Sequence, residues 1–269
     1  MIDFHSHILP GVDDGSTSID ETISLIKEAY EAGFTEIIST SHYIQGYYEF
    51  DCCERKRLIE ICEKKINENE TSDIGIYLGS EVFFSSEIIE LIKNKKASTI
   101  NDTRYLLFEL PMNTKPLFVK EMVYELMQNG YIPIIAHPER YSYVQENIQY
   151  IEELAGMGAL FQSNYGSIIG MYGNSAKKTL KKLLKNKLIS FLGSDVHKTG
   201  QIYPKIPKIL KKLRKIISVE ELEKLTTLNA QKVLKDGYNG DISAKDAGKI
   251  GGNMVRKMIQ QVENNMANK

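Results

Sequence analysis

Histidines and carboxylates are spaced along this sequence in a way that could hold metal ions. His5 and His7 stand two positions apart, and Asp195 and His197 repeat that spacing near the other end of the chain. Because alternate residues of a strand point to the same side, each pair can direct two ligand atoms at one ion. Either pair alone is a weak signal, since a single histidine is more often a hydrogen-bonded surface or core residue.

All five histidines and four of the carboxylates fall at or just after the ends of predicted strands. The set is His5, His7, Asp14, His42, Glu81, Glu109, His137, Asp195 and His197. In a parallel barrel these strand ends meet on one face, where barrel active sites are built. Nine ligands are too many for one ion with open positions, so two or three ions are predicted, with a carboxylate such as Glu81 bridging. Imidazole and carboxylate without thiolate suit Mn²⁺, Fe²⁺ or Zn²⁺, and spacing does not choose among them.

The elements that must position these ligands follow from hydrophobic periodicity. Short apolar runs bounded by turn residues predict strands at 1–5, 35–41, 74–81, 105–110, 132–136, 159–163 and 188–193. Amphipathic segments predict helices at 18–32, 51–69, 116–129, 145–157, 174–185, 204–215 and 219–235. Strand and helix alternate, so the sheet should be parallel. No glycine-rich dinucleotide loop follows the first strand, which favours a distorted β/α barrel over an open doubly wound sheet.

Length and composition predict one main domain. The chain has 269 residues, of which 42% are hydrophobic, enough to fill a single barrel over residues 1–236. From residue 237 to 269 the composition shifts to glycine, asparagine and small residues, which indicates a separate C-terminal tail. No apolar run is long enough to cross a bilayer, so we expect a soluble, cytoplasmic protein without membrane insertion.

The three cysteines do not suggest a disulfide framework or a thiol nucleophile. Cys52, Cys53 and Cys62 all lie in one charged, helix-like stretch. A cysteine-based phosphatase needs a thiolate and an arginine six positions later, and none of the three is followed by arginine at that distance. Phosphate chemistry through cysteine is therefore excluded.

Positive charge is concentrated late in the chain. From Lys177 to Lys215 there are thirteen lysines and arginines against one acidic residue, Asp195. This run is interpreted either as solvated helix faces or as a field that steers a phosphorylated or acidic partner.

Eight short segments around the ligand set together resemble the bacterial capsule-type (CpsB/CapC) protein-tyrosine phosphatases of the PHP superfamily. They are 5–7 (HSH), 12–15 (VDDG), 39–42 (STSH), 79–81 (GSE), 101–105 (NDTRY), 111–114 (PMNT), 136–141 (AHPERY) and 193–197 (GSDVH). The match runs from Met1 to about Asp236 in the family's order. The resemblance implies a (β/α)₇ barrel with three metals, usually manganese. It also implies hydrolysis of phosphotyrosine on a tyrosine kinase that controls exopolysaccharide synthesis.

The resemblance also implies which side chains act together. By position, one ion would be held by His5, His7, Glu81 and Asp195. A second would be held by Glu81, Glu109 and His137, and a third by Asp14, His42 and His197. Arg140 falls where the family has a phosphate-binding arginine, and its planar fork suits two phosphoryl oxygens. The competing interpretation of Arg140 is an exposed ion pair with Glu139 or Glu146.

The rim of the site departs from the family pattern. The loop after His197 reads Lys-Thr-Gly-Gln and lacks a second arginine that some members carry. The segment 43–46 (YIQG) replaces a more basic stretch after His42. These departures bear on the substrate more than on the metals. Asp14, His42 and His197 are the candidates for protonating a leaving phenolate.

Two other functions compete with the tyrosine phosphatase. One is a small-molecule phosphatase of the same superfamily, of the histidinol-phosphatase type, because the metal ligands would be similar. The other is a metal-binding scaffold without catalysis that docks a kinase through the basic helices. The partner expected for the phosphatase is a phosphorylated tyrosine kinase with a tyrosine-rich tail, and homo-oligomerisation is left open.

The tail carries a second, shorter resemblance. Residues 237–242 (GYNGDI) and 248–259 (GKIGGNMVRKMI) are similar to the C-terminal half of α/β-type small acid-soluble spore proteins, which coat DNA. An apolar stripe at helical spacing predicts instead a tail helix that docks on the barrel or on another subunit. Five basic and three acidic residues give the tail a net charge of +2, which is too little for salt-resistant DNA binding. Nucleic acid is therefore not an expected partner.

Overall fold

Strands and helices alternate along the chain in the computed structural model, which describes residues 1–68 and 74–236. The strands are β1 (Ile2–Ser6), β2 (Glu36–Ser39), β3 (His42–Tyr43), β4 (Gly75–Leu78), β5 (Glu81–Phe83), β6 (Tyr105–Glu109), β7 (Ile132–Ala136), β8 (Leu160–Asn164) and β9 (Phe191–Gly193). The α-helices are α1 (Ile19–Glu31), α2 (Cys52–Glu68), α3 (Ile88–Lys93), α4 (Val119–Gln128), α5 (Ser142–Glu146), α6 (Gln149–Gly156), α7 (Gly173–Lys185), α8 (Ile206–Leu213), α9 (Val219–Glu223) and α10 (Asn229–Lys235).

All strand pairs are parallel, in two sheets that continue one another. One sheet has the order β1-β2-β4 and the other the order β3-β5-β6-β7-β8-β9. Two residues separate β2 from β3, and two separate β4 from β5, so each pair is one strand with an interruption. Beyond β9, a parallel bridge joins Val196 to Ser6, and the His7 amide donates to the Val196 carbonyl at 3.0 Å. Seven parallel strands thus close on themselves, which confirms the predicted distorted (β/α)₇ barrel.

The barrel interior is apolar at one end and polar at the other. Phe4 and Phe191 stack in it with ring centroids 4.0 Å apart, and Ile38, Leu107 and Ile134 pack in the same cluster. These side chains fill the interior as bulky residues do in β/α barrels. The strand ends that carry the predicted metal ligands lie directly above this packed apolar layer, which supports them.

The helices differ from the sequence prediction in two places. The predicted helix 145–157 is two helices, α5 and α6, because Asn147 is extended (φ −147°) and its side chain accepts from the Gln149 amide at 2.9 Å. Helix α3 has six residues and was not predicted. The predicted helix 219–235 is continuous, although Lys224–Leu228 is wound as a π-helix. The tail 237–269 and the interpretations placed on it lie outside the described residues.

A membrane-spanning helix was not predicted. Among residues 1–68 and 74–236, no helix combines the length and the apolar character needed to cross a bilayer.

Candidate metal centre

The structure brings all nine predicted ligands together at one end of the barrel. His5 lies in β1 and His7 just beyond it, His42 opens β3, and Glu81 opens β5. The remaining ligands at strand ends are Glu109 in β6, His137 after β7, and Asp195 and His197 after β9. Asp14 reaches the same place from the loop between β1 and α1. The convergence follows from the parallel topology, because every strand delivers its last residues to the same face.

Two of the predicted ligands have an unusual backbone conformation. His137 (φ 31°) and Asp195 (φ 53°) lie in the left-handed region, which is uncommon for residues other than glycine. Each directly follows a strand or lies within two residues of its end, so the chain turns there as soon as the strand has finished. Such strain is found where a functional geometry requires it.

The innermost group surrounds the ends of His5 and His7. Their Nε2 atoms lie 3.0 Å apart and point at the same region. Glu81 Oε2 lies 3.3 Å from His5 Nε2 and 3.5 Å from His7 Nε2. Asp195 Oδ1 lies 3.6 Å and 3.4 Å from the same two nitrogens. Glu81 and Asp195 therefore each approach both imidazoles, and the donor atoms of His5, His7 and Glu81 all lie within 4.8 Å of one another.

A second group is built on the other side of Glu81. Its Oε1 atom lies 2.8 Å from His137 Nε2, while Glu109 Oε2 lies 3.7 Å from that nitrogen. His42 Nδ1 approaches Glu81 Oε2 at 3.1 Å and Glu109 Oε1 at 3.4 Å. Glu81 consequently stands between the two groups: Oε2 faces His5, His7 and His42, and Oε1 faces His137. This is the position of a bridging ligand.

The third group lies nearest to solvent. Asp14 Oδ1 is 3.3 Å from His197 Nε2 and 3.7 Å from His42 Nε2. The side chain of Asp14 is 55% exposed, against 22% for His197 and 13% for His42. This outer group is the part of the cluster that an incoming molecule meets first.

The donor set fits divalent ions. Glu81 Oε2 and His42 Nδ1 are buried and have no hydrogen-bond partner in the described part of the chain, although they lie 3.1 Å apart. Buried polar atoms normally have partners, and a cation shared by these two atoms would satisfy both. Donor atoms within 4.8 Å of one another fall into three sets: His5, His7 and Glu81; His42, Glu81 and Glu109; and His7, Asp14, His42 and His197.

These sets differ in detail from the grouping that the family resemblance implies. His42 contributes to two sets through its two ring nitrogens, and His7 also lies with the outer group. His137 joins the cluster through Glu81 rather than as a member of a separate set. The three sets are therefore not independent, because His7, His42 and Glu81 each belong to two of them.

Burial and close contacts shift the pKa values of several side chains in the cluster. Burial alone would raise the pKa of Glu81, but the imidazoles of His5, His42 and His137 hold it well below the ordinary value. Burial and the neighbouring Glu81 carboxylate raise the pKa of Glu109 to about 9. Burial also lowers the pKa of His42 to about 4, which keeps its ring neutral and able to coordinate.

Two hydrogen bonds that the sequence did not reveal fix the inner histidines. Asp13 Oδ2 lies 2.8 Å from His7 Nδ1 and also accepts from the His42 amide at 2.8 Å. Gln162 Oε1 lies 2.7 Å from His5 Nδ1. Each bond occupies Nδ1 and leaves Nε2 directed at the cluster, the arrangement that orients metal-binding histidines. The sequence offered one clue to the role of Asp13, which is that it directly precedes the predicted ligand Asp14.

Asp195 is held by three neighbours besides the histidines. Arg140 Nη1 donates to Asp195 Oδ2 at 2.7 Å, Asn164 Nδ2 donates at 2.6 Å, and the Tyr172 hydroxyl donates at 3.4 Å. The guanidinium of Arg140 also stacks on the Tyr172 ring, 4.4 Å from its centroid. Arg140 therefore belongs to the site.

The sequence left open an ion pair between Glu139 and Arg140. In the structure, Arg140 pairs with Asp195, and Glu139 accepts hydrogen bonds from other residues. It is fully buried and accepts from Ser163 Oγ, the Asn164 amide and Ser167 Oγ, at 2.6 to 2.9 Å. A buried carboxylate with these donors is satisfied without a cation. It ties the turn that carries Arg140 to the end of β8.

Comparison with known proteins shows the family of the chain. The family described as "Capsular polysaccharide synthesis, CpsB/CapC" matches residues 1–235. The putative tyrosine-protein phosphatase CapC of Staphylococcus aureus is 41% identical over 199 residues, covering 73% of this chain and 77% of that protein. The tyrosine-protein phosphatase CpsB of Streptococcus agalactiae is 30% identical over 243 residues, covering 88% of this chain and all of that protein.

A solved structure is also similar over most of the barrel. It belongs to the crystal structures of YwqE from Bacillus subtilis and CpsB from Streptococcus pneumoniae, described as unique metal-dependent tyrosine phosphatases. The TM-score is 0.82 at 29% identity, covering 88% of this chain and 95% of the other. With its barrel, its ligand cluster and these matches, the chain belongs to the CpsB/CapC family of capsular polysaccharide synthesis.

Proposed function

We propose that this chain hydrolyses phosphotyrosine, with metal ions as cofactors, on a bacterial tyrosine kinase that regulates capsule or exopolysaccharide synthesis. The observation that carries the proposal is the convergence of imidazoles and carboxylates beside Arg140, in a chain of this family. The relative from Streptococcus agalactiae is described as a tyrosine-protein phosphatase and the one from Staphylococcus aureus as a putative one, which supports an activity of the same class. A cytoplasmic location is part of the proposal, and it agrees with three free cysteines.

Mn²⁺ is the proposed metal. The cluster offers imidazole nitrogens and carboxylate oxygens, and the cysteines lie in α2 at residues 52, 53 and 62, outside it. Such a set suits Mn²⁺, with Fe²⁺ and Zn²⁺ as competitors. Divalent ions held by these side chains would lower the pKa of coordinated water and neutralise phosphoryl oxygens.

Arg140 is proposed to bind the phosphoryl group. Its Nη1 atom is held by Asp195, which fixes the plane of the guanidinium at the mouth of the site. The other nitrogens of the fork can donate to two phosphoryl oxygens, and such preorganised donors stabilise the charge that spreads over them in the transition state. Burial opposes the charge of Arg140, but the Asp195 carboxylate keeps its pKa raised and the side chain cationic.

Within the outer group, His197 is proposed to supply the proton for the leaving phenolate, because burial lowers the pKa of His42 to about 4 and the hydrogen bond from His197 lowers the pKa of Asp14. Asp14, His197 and His42 are the ligands that face the entrance, where the tyrosine side of the bond must lie. A phenol has a pKa of about 10, so its departure needs less protonation than that of an alkoxide. A general acid at this position would therefore contribute modestly.

Aromatic rings at the entrance favour an aryl phosphate over an alkyl phosphate. The Tyr48 ring lies nearly parallel to His42, with 6.1 Å between centroids and 13° between planes. Tyr172 lies on the Arg140 side of the mouth. Rings so placed can pack against the ring of phosphotyrosine, whereas a flexible alkyl chain gains less from them.

The test compares substrates and one aromatic residue. The full chain loaded with Mn²⁺ is assayed on a phosphotyrosine peptide and on histidinol phosphate. We expect kcat/KM to favour the peptide, and Tyr48→Ala to reduce that preference by about three- to tenfold, the value of one aromatic pair. Tyr47→Ala is the control, because the Tyr47 side chain is 83% exposed. Faster hydrolysis of histidinol phosphate would favour the small-molecule phosphatase, and absence of turnover with every metal would favour the scaffold.

A further inference from the structure

Outside the metal centre, the strongest charged feature is a lysine-rich surface on α7 and α8. We call it the basic face and define it as Lys177, Lys178, Lys181, Lys182, Lys208, Lys211 and Lys212. Within residues 1–68 and 74–236, none of these lysines forms an ion pair. A cluster of lysines without paired carboxylates produces a positive electrostatic potential, which attracts an anionic partner.

The lysines of the two helices lie close enough to influence one another. Partial burial and the charges of Lys177, Lys208 and Lys181 lower the pKa of the Lys212 ammonium. Lys177 and Lys181 belong to α7, whereas Lys208 and Lys212 belong to α8, so these four lysines connect the two helices into one basic surface. Repulsion among like charges is unfavourable until an anionic partner relieves it.

The face offers charge but no exposed apolar anchor. The apolar sides of both helices, including Leu180, Leu183 and Ile209, are buried against the barrel. Of the described large apolar side chains that are exposed, none belongs to α7 or α8. Helices that bind at a membrane surface insert apolar side chains, and surfaces for single-stranded nucleic acid present aromatic rings. The basic face therefore fits a flexible acidic polypeptide better than either of these partners.

The basic face begins at the entrance of the metal centre. Helix α7 starts at Gly173, directly after Tyr172, whose ring contacts Arg140. A groove of about 330 Å³ runs between α5 and α7, with Lys178 and Lys182 on its α7 side and one carboxylate, Glu146, on its α5 side. Gln145 in the same groove donates to the Arg140 carbonyl at 3.3 Å. A partner bound at Arg140 is thus beside the first lysines of the face.

We propose that the basic face binds an acidic segment of the phosphoprotein substrate, close in sequence to its phosphotyrosine. This inference rests on the proposed function and adds a substrate preference to it. Helix α7 has 13 residues and is about 20 Å long, a length that about six residues of extended polypeptide span. Acidic residues within that distance of the phosphotyrosine would contact the lysines while the phosphate occupies the site.

The experiment neutralises the centre of the face. Lys181→Gln, Lys208→Gln and Lys212→Gln are combined in the full chain loaded with Mn²⁺. Three substrates are compared at low salt: a phosphotyrosine peptide flanked by six glutamates, the same peptide flanked by six neutral residues, and p-nitrophenyl phosphate. We expect the wild type to favour the acidic peptide over the neutral one in kcat/KM by about five- to tenfold, mainly through KM.

The combined variant should lose that preference and keep its other activities. Turnover of the neutral peptide and of p-nitrophenyl phosphate is expected to stay within about twofold of wild type, because exposed charges away from the reacting atoms contribute little to the chemical step. A control combining Arg57→Gln, Lys64→Gln and Lys96→Gln removes the same charge from exposed positions that form no ion pair in the described structure. The control should keep the full preference for the acidic peptide.

Other outcomes separate this inference from the proposed function. A wild type that hydrolyses both peptides equally, or a variant that keeps the preference, overturns the basic face as a substrate-binding surface. If no phosphotyrosine peptide is hydrolysed, the proposed function fails. Fluorescence anisotropy with an unphosphorylated glutamate peptide then still tests the face. Binding to phosphatidylserine vesicles or duplex DNA that the variant loses, without a peptide preference, would assign the face to lipid or nucleic acid instead.

Discussion

The metal centre and the basic face are both dense in charge, but they are organised in opposite ways. In the metal centre, imidazole, guanidinium and carboxylate groups lie 2.7 to 3.7 Å from one another and most are buried. On the basic face, charges of one sign stand mostly in solvent. Buried charge must be compensated at contact distance, whereas exposed charge acts weakly on each partner atom. Removing one group should therefore be severe in the first region and mild in the second.

Metal removal should cause the largest loss of activity, through the metal centre alone. We expect a chelator to abolish hydrolysis of p-nitrophenyl phosphate and added Mn²⁺ to restore it, because the ligands cannot supply the cation's charge themselves.

Iodoacetamide should leave the metal-loaded enzyme active. Cys52 and Cys62 are buried, burial raises the pKa of the Cys62 thiol to about 11, and Cys53 is exposed on α2. Full inactivation by alkylation with metals still bound would contradict a mechanism without cysteine.

Loss of one ligand is the next largest effect. Glu81→Ala or Asp195→Ala should reduce kcat by more than about 1000-fold while far-ultraviolet circular dichroism stays native, since each removes a negative ligand from the inner group. Lys212→Gln is the matched single change on the basic face, and it should alter turnover of p-nitrophenyl phosphate by less than about twofold. A tenth of wild-type activity in either ligand variant, at equal metal content, would show that the ligand is wrongly assigned.

The convergence of the nine proposed ligands could be predicted because its signal in the sequence is local. A histidine or carboxylate at the end of a predicted strand is visible in the sequence, and a parallel barrel brings such ends together wherever the strands begin. The strands were predicted correctly for the same reason, since apolar runs bounded by turn residues are short-range patterns. The break at Asn147 was missed because the apolar periodicity of 145–157 continues through it.

The residues that orient the ligands could not be predicted in this way. Gln162 and Asn164 lie on β8, which contributes no ligand, and their roles depend on side chains 157 and 31 positions away. Asp13 and Asp14 are neighbours of the same type, yet one supports a histidine and the other joins the cluster. Only the three-dimensional contacts distinguish them.

Asp13→Asn tests this orienting role and should have an intermediate effect. The amide can hold His7 Nδ1 only weakly, so metal affinity should fall by about 10- to 100-fold, the usual cost of losing such a partner. Excess Mn²⁺ should restore most of the activity, which a missing ligand would not allow. Isothermal titration calorimetry measures the affinity, with Asp20→Asn on α1 as the control. Unchanged affinity in Asp13→Asn would mean that His7 is held by packing alone.

The smallest effect concerns the pH dependence of metal binding. The pKa of Glu109 is raised from 4.5 to about 9 by burial and by the Glu81 carboxylate. The protonated form is therefore favoured in the metal-free fold. The contribution of Glu109 to the stability of the metal-free fold is therefore fully present below pH 4.5 and is lost as the pH rises toward 9. A divalent ion requires the carboxylate, so binding must release this proton and tighten as the pH rises, by up to about tenfold per pH unit.

Calorimetry between pH 6 and 8, in buffers of different ionisation enthalpy, counts the protons released when Mn²⁺ binds. We expect Glu109→Gln to release fewer protons than wild type and to show a shallower rise of affinity with pH, even though its affinity is lower at every pH. Glu152→Gln on α6, an exposed carboxylate, should behave as wild type. An unchanged slope in Glu109→Gln would mean that the proton leaves a histidine instead. The carboxylates of the metal centre would then be ionised before the ion arrives, as the exposed charges of the basic face are.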